Sequence, residues 1–290
     1  RLSDAVRDRL PALGVFAGGA MEDDLLAITG LGEEEWQQVR EELLRAGLMT
    51  QERIPNVRFP YYHFHPTLCP HLRRRLSEEE RAEIEESYRQ RYYAVSGYFY
   101  QMDPRNPHVA RAVALRELPN LRRALDLTLR AGDAATAVDF AEYVERFLKY
   151  FGRWREREAL VAKVEGHMSK VEGETGELTK AAFQMRSRRG ELLLDQGRAG
   201  EAERVFRGLL ARMDAGMAYG GTEAGYDRAI TLHRLGRSLR FQGRPADAER
   251  AYRRALEVLA GLEQDGEQRE AVRRETGGVH TDLADVLRAQ

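Results

Sequence analysis

The sequence predicts an all-α protein with one small β-hairpin: a small helical domain first, then an α-solenoid of stacked helix pairs. Three observations predict it. Leu232-x-x-Leu235-Gly236-x-x-Leu239-x-x-x-Gly243-x-x-x-x-Ala248-x-x-x-Tyr252-x-x-Ala255 places small and large apolar residues at the spacing of two antiparallel helices joined by a tight turn. Gly190, Leu193, Gly197, Ala202 and Phe206 repeat the offsets of Gly236, Leu239, Gly243, Ala248 and Tyr252, 46 residues earlier. Extended signals are confined to residues 48–51 and 57–64, split by the turn pair Pro55-Asn56.

Each element has a local reason. Residues 4–13 read as a helix with Ser3 as N-cap. Residues 21–29 form a second, closed by Gly30. Residues 33–46 form a third, with Trp36, Val39, Leu43 and Leu44 on one face and Gly47 at its end. The hairpin follows, and three helices before a hairpin is the order of a winged helix. Ser77-Glu78-Glu79-Glu80 is a capping box opening a helix to about residue 100, with Ile84, Tyr88, Tyr92 and Val95 inward. Residues 103–107 break it. Later breaks near Leu118-Pro119, Gly132, Gly152, residues 172–175, Gly197, residues 216–221, Gly243 and residues 264–266 leave only helices joined by turns. The repeat spacing is that of tetratricopeptide units. The copy at Gly190 is degenerate, with Arg186 and Arg189 in place of Leu232 and Leu235; a third starts at His280, with Leu283, Ala284 and Leu287. The expected domains are a winged helix over 1–76, a helical linker over 77–131, and a superhelical tetratricopeptide-like sensor over 132–290, truncated in its last repeat.

Composition narrows the function. The 290 residues carry a net charge of −1, which gives no general pull toward nucleic acid or anionic lipid. Cys69 is the single cysteine, so no internal disulfide forms, and no apolar run is long enough to span a membrane. A cytoplasmic location is expected. The sequence opens on Arg1, and the chain is expected to be a fragment of something longer.

Sites of chemistry are scarce. No Gly-x-x-x-x-Gly-Lys-Ser/Thr phosphate loop, Gly-x-Ser-x-Gly elbow or His-Glu-x-x-His pair occurs, and Gly-rich residues 216–225 read as an inter-helix loop. No catalytic residue is assigned, and the chain is not expected to be an enzyme. His63, His65, Cys69 and His71 cluster, but their spacing is poor for zinc, so no metal is expected. Glu33, Glu34, Glu35, Glu41 and Glu42 outweigh Arg40 and Arg45 on the third helix, which disfavours DNA. Arg73-Arg74-Arg75 and Arg153-Trp154-Arg155 read as solvated faces, and Tyr88, Tyr92, Tyr93, Tyr98, Phe99 and Tyr100 as core between the winged helix and the solenoid. In repeats of this type the first helix of each pair lines the groove, which places Ser187, Glu191, His233, Arg237 and Arg240 on a surface for an acidic or polar segment of a protein.

Residues 10–19 (LPALGVFAGG), residues 39–48 (VREELLRAGL), Tyr62-His63-Phe64-His65-Pro66 and residues 118–133 (LPNLRRALDLTLRAGD) occur in the order of the middle and C-terminal parts of bacterial STAND ATPases. The chain resembles that part of these signalling NTPases, which are related to NB-ARC and MalT-like regulators. The resemblance implies a ligand-sensing, regulatory region, with a protein or peptide trigger on the repeats. It also implies an upstream ATPase module of the same chain that would carry ATP or ADP; no cofactor is expected here. In NB-ARC relatives a Met-His-Asp motif follows the wing, and its histidine touches the β-phosphate of ADP. Phe64-His65-Pro66 stands there, so the resemblance implies His65 as a nucleotide-state latch, with proline in place of the acid. Oligomerisation of the intact protein is left open, as are a constitutive tetratricopeptide adaptor and a winged-helix transcription regulator.

Overall fold

A computed structural model describes residues 2–175, 178–216, 219–220, 222–262 and 269–289. Among them are thirteen α-helices and one three-stranded sheet, so the fold class is all-α. Of the expected breaks, residues 264–266 and part of residues 216–221 lie outside the described residues. The chain divides into two compact units, Arg1–Arg157 and Glu158–Gln290.

The N-terminal unit opens with α1 (Asp4–Arg9), whose first turn donates from Val6 N–H to Ser3 Oγ. Helix was expected to residue 13. Instead Leu10–Val15 tightens into a 3-10 turn, because Pro11 has no N–H to continue the α-helical ladder. Strand β1 (Gly19–Met21) precedes α2 (Glu22–Thr29), which Gly30 ends at φ 68°, a left-handed geometry that glycine adopts without strain. Helix α3 (Glu33–Arg45) leads to β2 (Met49–Glu52) and β3 (Tyr61–Phe64). The sheet order is β1-β3-β2, antiparallel throughout, with Tyr62 opposite both Ala20 and Gln51. Asn56 turns at φ 62°, in the expected turn. Helix α4 (Leu68–Arg73) tolerates Pro70 because it sits in the first turn.

Helix α5 (Glu78–Met102) starts at the capping box, where Ser77 and Glu80 bond each other's backbone N–H. Helix α6 (Pro107–Arg130) runs unbroken through Pro119, where a break was expected. Pro119 and Leu115 are both exposed, so water can satisfy the carbonyl that the proline leaves free. Buried Glu117 and Asn120 pin the opposite face. Asn120 accepts from Ala17 N–H at 2.7 Å and Tyr88 Oη at 2.8 Å, and donates to Gly19 O at 2.7 Å. Glu117 accepts from Met21 N–H at 2.7 Å, Tyr92 Oη at 2.8 Å and Asn120 Nδ2 at 2.6 Å. These bonds tie α5 and α6 to β1, so the stretch expected as a linker packs within the same unit as the preceding helices. Tyr88 and Tyr92 are fully buried with Phe16; Tyr93 and Tyr100 pack on Tyr143 of α7 (Ala134–Tyr150). Tyr98, expected in that core, is 61% exposed.

The C-terminal unit takes in most of α8 (Trp154–Thr175), then α9 (Lys180–Asp195), α10 (Ala199–Asp214), α11 (Thr222–Phe241), α12 (Pro245–Leu262) and α13 (Arg269–Ala289). From α9 onward each helix packs on the next, and α11 also packs on α9 and α13. The turns close on Gly197 (φ 75°) and Gly243 (φ 70°). A Cβ on Gly190 would lie 2.5 Å from the Phe206 ring, and one on Gly236 would lie 2.5 Å from Tyr252 Cδ1. Both contacts join residues sixteen apart, so one tetratricopeptide-like crossing is built twice. The two fillers differ in one atom: Tyr252 Oη is buried without a hydrogen-bond partner among the described residues. Tyr252→Phe is expected to raise the stability of this unit by about 1 kcal/mol in urea unfolding, since it removes a desolvated hydroxyl and keeps the ring. A loss of stability would show that the hydroxyl is satisfied.

Candidate functional site

The five expected groove residues lie on alternate helices α9 and α11, and two of them, His233 and Arg240, reach α13. Arg234 Nη2 reaches Glu191 at 2.7 Å, and its Nη1 donates to Ser187 Oγ. His233 contacts Glu275 through Nδ1 at 2.6 Å and Asp282 through Nε2 at 3.0 Å, with its ring edge-on to Tyr252. Arg240 pairs with Asp282 at 3.3 Å and Asp285 at 3.6 Å. The result is a ladder of opposite charges from α9 through α11 to α13. Ser187 is only 2% exposed and offers no surface. Glu191, His233 and Arg240 keep partial exposure but are already paired. Arg237, half-buried, has no hydrogen bond or ion pair among the described residues. Arg234, Glu275, Asp282 and Asp285 went unnoticed in the sequence. Their pairings span some forty residues or more, and no local spacing encodes them.

His65 lies just past β3, exposed, with its N–H donating to Leu48 O at 2.8 Å. Thr67 N–H points at its Nδ1 from 3.4 Å, and Thr67 Oγ1 lies 2.8 Å from the same atom. A backbone N–H can only donate, so Nδ1 is the acceptor and the proton of the neutral ring sits on Nε2. Nε2 has no partner among the described residues, which leaves one outward donor suited to an anionic oxygen. His63 does not join it: its Nε2 is bonded to Glu52 at 2.8 Å. The Arg116 guanidinium and His63 hold the Glu52 carboxyl down at about 2. Cys69 is buried, and burial pushes its thiol up to about 11, so it is an unreactive core residue.

His65 opens on a cavity of about 550 Å³ inside the N-terminal unit. Arg73 lines one side, and Arg122, Arg123, Asp126 and Arg130 line another as one stripe of α6; Arg153 completes it. The stripe follows helical i, i+4, i+8 spacing, a signal present in the sequence. Arg73 and Arg153 were expected on solvated faces; Arg73 is instead half-buried, its Nε donating to Gly14 O at 2.9 Å. Gly14 permits this approach, since a Cβ there would lie 2.5 Å from the Arg73 backbone nitrogen.

Two carboxyls are buried away from these surfaces. Burial, and then repulsion from Asp24, pushes Glu117 up to about 8 against its three donors. Burial, and then Asp23, raises Asp24 to about 6, although Arg91 bonds it at 2.7 Å. Arg40, a residue a DNA-reading helix would need, is instead tied to Glu22 at 3.2 Å. No helix among the described residues is long and apolar enough to cross a membrane.

No family model matches the chain, and no curated protein matches it. Among solved structures it is similar to a signal transduction ATPase with numerous domains (STAND) protein with a tetratricopeptide repeat sensor, from Pyrococcus horikoshii. That match has 12% sequence identity and a TM-score of 0.35, and covers 97% of this chain and 48% of the other. The chain thus spans about half the length of that protein.

Proposed function

We propose that this chain is the sensing and regulatory region of a STAND-class signalling ATPase. A protein or peptide trigger binds the helix-pair unit, and residues 1–76, acting as a winged helix, relay that event to an ATPase module of the same protein. The observation that carries the reading is the repeated glycine-on-ring crossing at Gly190–Phe206 and Gly236–Tyr252. Such crossings stack helix pairs into extended surfaces for protein recognition. Arg237, without an ion pair among the described residues and beside a ladder of opposite charges, is the cation offered to an acidic residue of the trigger. His65, with Nε2–H directed outward, serves as the latch on the nucleotide-bound resting state. A trigger shifts that state only by preferring the alternative.

The test is ATP turnover by the intact protein, with and without trigger. Arg237→Glu is expected to weaken the trigger response about tenfold and leave basal turnover unchanged. His65→Ala is expected to raise basal turnover severalfold. Unchanged basal turnover in His65→Ala would remove the latch, a full response in Arg237→Glu would remove Arg237 as a trigger contact, and a parent protein whose turnover no trigger changes would leave only a passive scaffold.

A further inference from the structure

We propose that the arginine-lined cavity of the N-terminal unit binds a small phosphate-bearing ligand, with Arg73 and Arg130 gripping the dianionic phosphate. The charge balance points to an anion. Five arginines line the cavity with one acid, Asp126. Two more carboxylates serve these arginines from its border: Glu85 bonds Arg123, and Glu156 bonds both Arg122 and Arg153. Five positive charges against three negative leave an excess of two.

The excess has an address. Arg73 gives its Nε to a carbonyl and has no carboxylate partner among the described residues; Arg130 has no hydrogen bond or ion pair among them. Burial, and then the neighbouring Arg123 charge, push the Arg73 pKa down while Glu85, already bonded to Arg123, acts the other way, so the Arg73 guanidinium is held charged at a cost. A phosphate dianion relieves it, and a guanidinium offers the planar pair of donors that phosphate oxygens take. The volume leaves room for more than the phosphate. A cavity of about 550 Å³ exceeds what a bare oxyanion needs and falls in the range for small organic ligands. Leu115, Leu118 and Pro119 supply an apolar wall for the body of such a ligand. The inference concerns this unit alone and does not depend on the sensor reading: a chain that binds no trigger could still bind phosphate.

Calorimetric titration of the 290-residue chain at constant ionic strength tests it, with inorganic phosphate and ADP as separate titrants and chloride as the control. Saturable heat is expected with at least one phosphate titrant. Arg73→Gln, which keeps a donor for Gly14 O, and Arg130→Ala are each expected to weaken binding at least tenfold. Arg105→Ala, outside the cavity, is expected to change nothing. Unchanged melting temperatures verify that the variants fold. Phosphate bound as tightly as ADP identifies a free oxyanion as the source; much tighter ADP, with the same arginine dependence, identifies a nucleotide. No saturable binding of either, or binding indifferent to both substitutions, overturns the proposal.

Discussion

Gly236→Ala is expected to lower the melting temperature of the C-terminal unit by about 12 °C, a cost of roughly 3 kcal/mol at about 4 °C per kcal/mol. The new methyl would enter the Tyr252 ring, touching both Cδ1 and Cε1. That ring is fully buried between α11, α12 and His233, so it cannot swing aside without breaking the core. Relief must come from moving α12 off α11. The cost is steric and so depends on the ring. Gly236→Ala placed on a Tyr252→Leu background is expected to cost less than half as much, a coupling visible in a double-mutant cycle. Gly190→Ala should act likewise through Phe206. Additive effects of the Gly236 and Tyr252 substitutions would show that glycine is not there to admit the ring.

The N-terminal unit is expected to lose stability as pH rises from 5.5 to 7.5, by roughly 3 kcal/mol at about 1.4 kcal/mol per pH unit for one proton. Glu117 titrates at an ordinary 4.5 when exposed and at about 8 when folded. Between those values the native state holds a proton that the unfolded chain has released. Its contribution is therefore whole below pH 4.5, declines as pH rises, and is gone above 8. Asp24, raised from 3.8 to about 6, has the same sign over the lower part of the window. Glu52, held near 2, acts oppositely, but only below pH 4.5. The protonated Glu117 has a partner, since Tyr92 Oη can accept at 2.8 Å while Asn120 Nδ2 still donates to the same carboxyl oxygen. Glu117→Gln is expected to remove most of the slope. It also lowers stability by about 2 kcal/mol at pH 5.5, because an amide NH₂ in either orientation faces a donor, Met21 N–H or Asn120 Nδ2. Urea unfolding at the two pH values checks both effects. A parent slope that persists in Glu117→Gln would place the titrating group elsewhere.

Ionic and polar contacts were the least legible part of the sequence. Ser187, Glu191, His233, Arg237 and Arg240 lie on α9 and α11, the helices that precede the turns at Gly197 and Gly243, as their offsets from the small residue of the repeat implied. Their partners could not be inferred: Glu275 and Asp282 reach His233 only once α13 has stacked on α11. The basic stripe Arg122, Arg123 and Arg130 was visible in residues 118–133, but Arg73 joins it from fifty residues away. Strand β1 escaped notice because it is three residues long and opens on Gly19, too short to show alternation.

The sequence by itself determined the helices, their caps at Ser3 and Ser77, the turns at Gly197 and Gly243, and the pairing of a glycine with a ring sixteen residues on. These depend on interactions within one or two turns of helix, or across one short loop, which local spacing encodes. Only the tertiary structure decided that α6 passes through Pro119, that Glu117 is buried, and which arginines remain without a carboxylate. Those outcomes depend on charges and backbone groups brought together from 38 to 101 residues apart, where desolvation and pairing are properties of the packed molecule rather than of any segment.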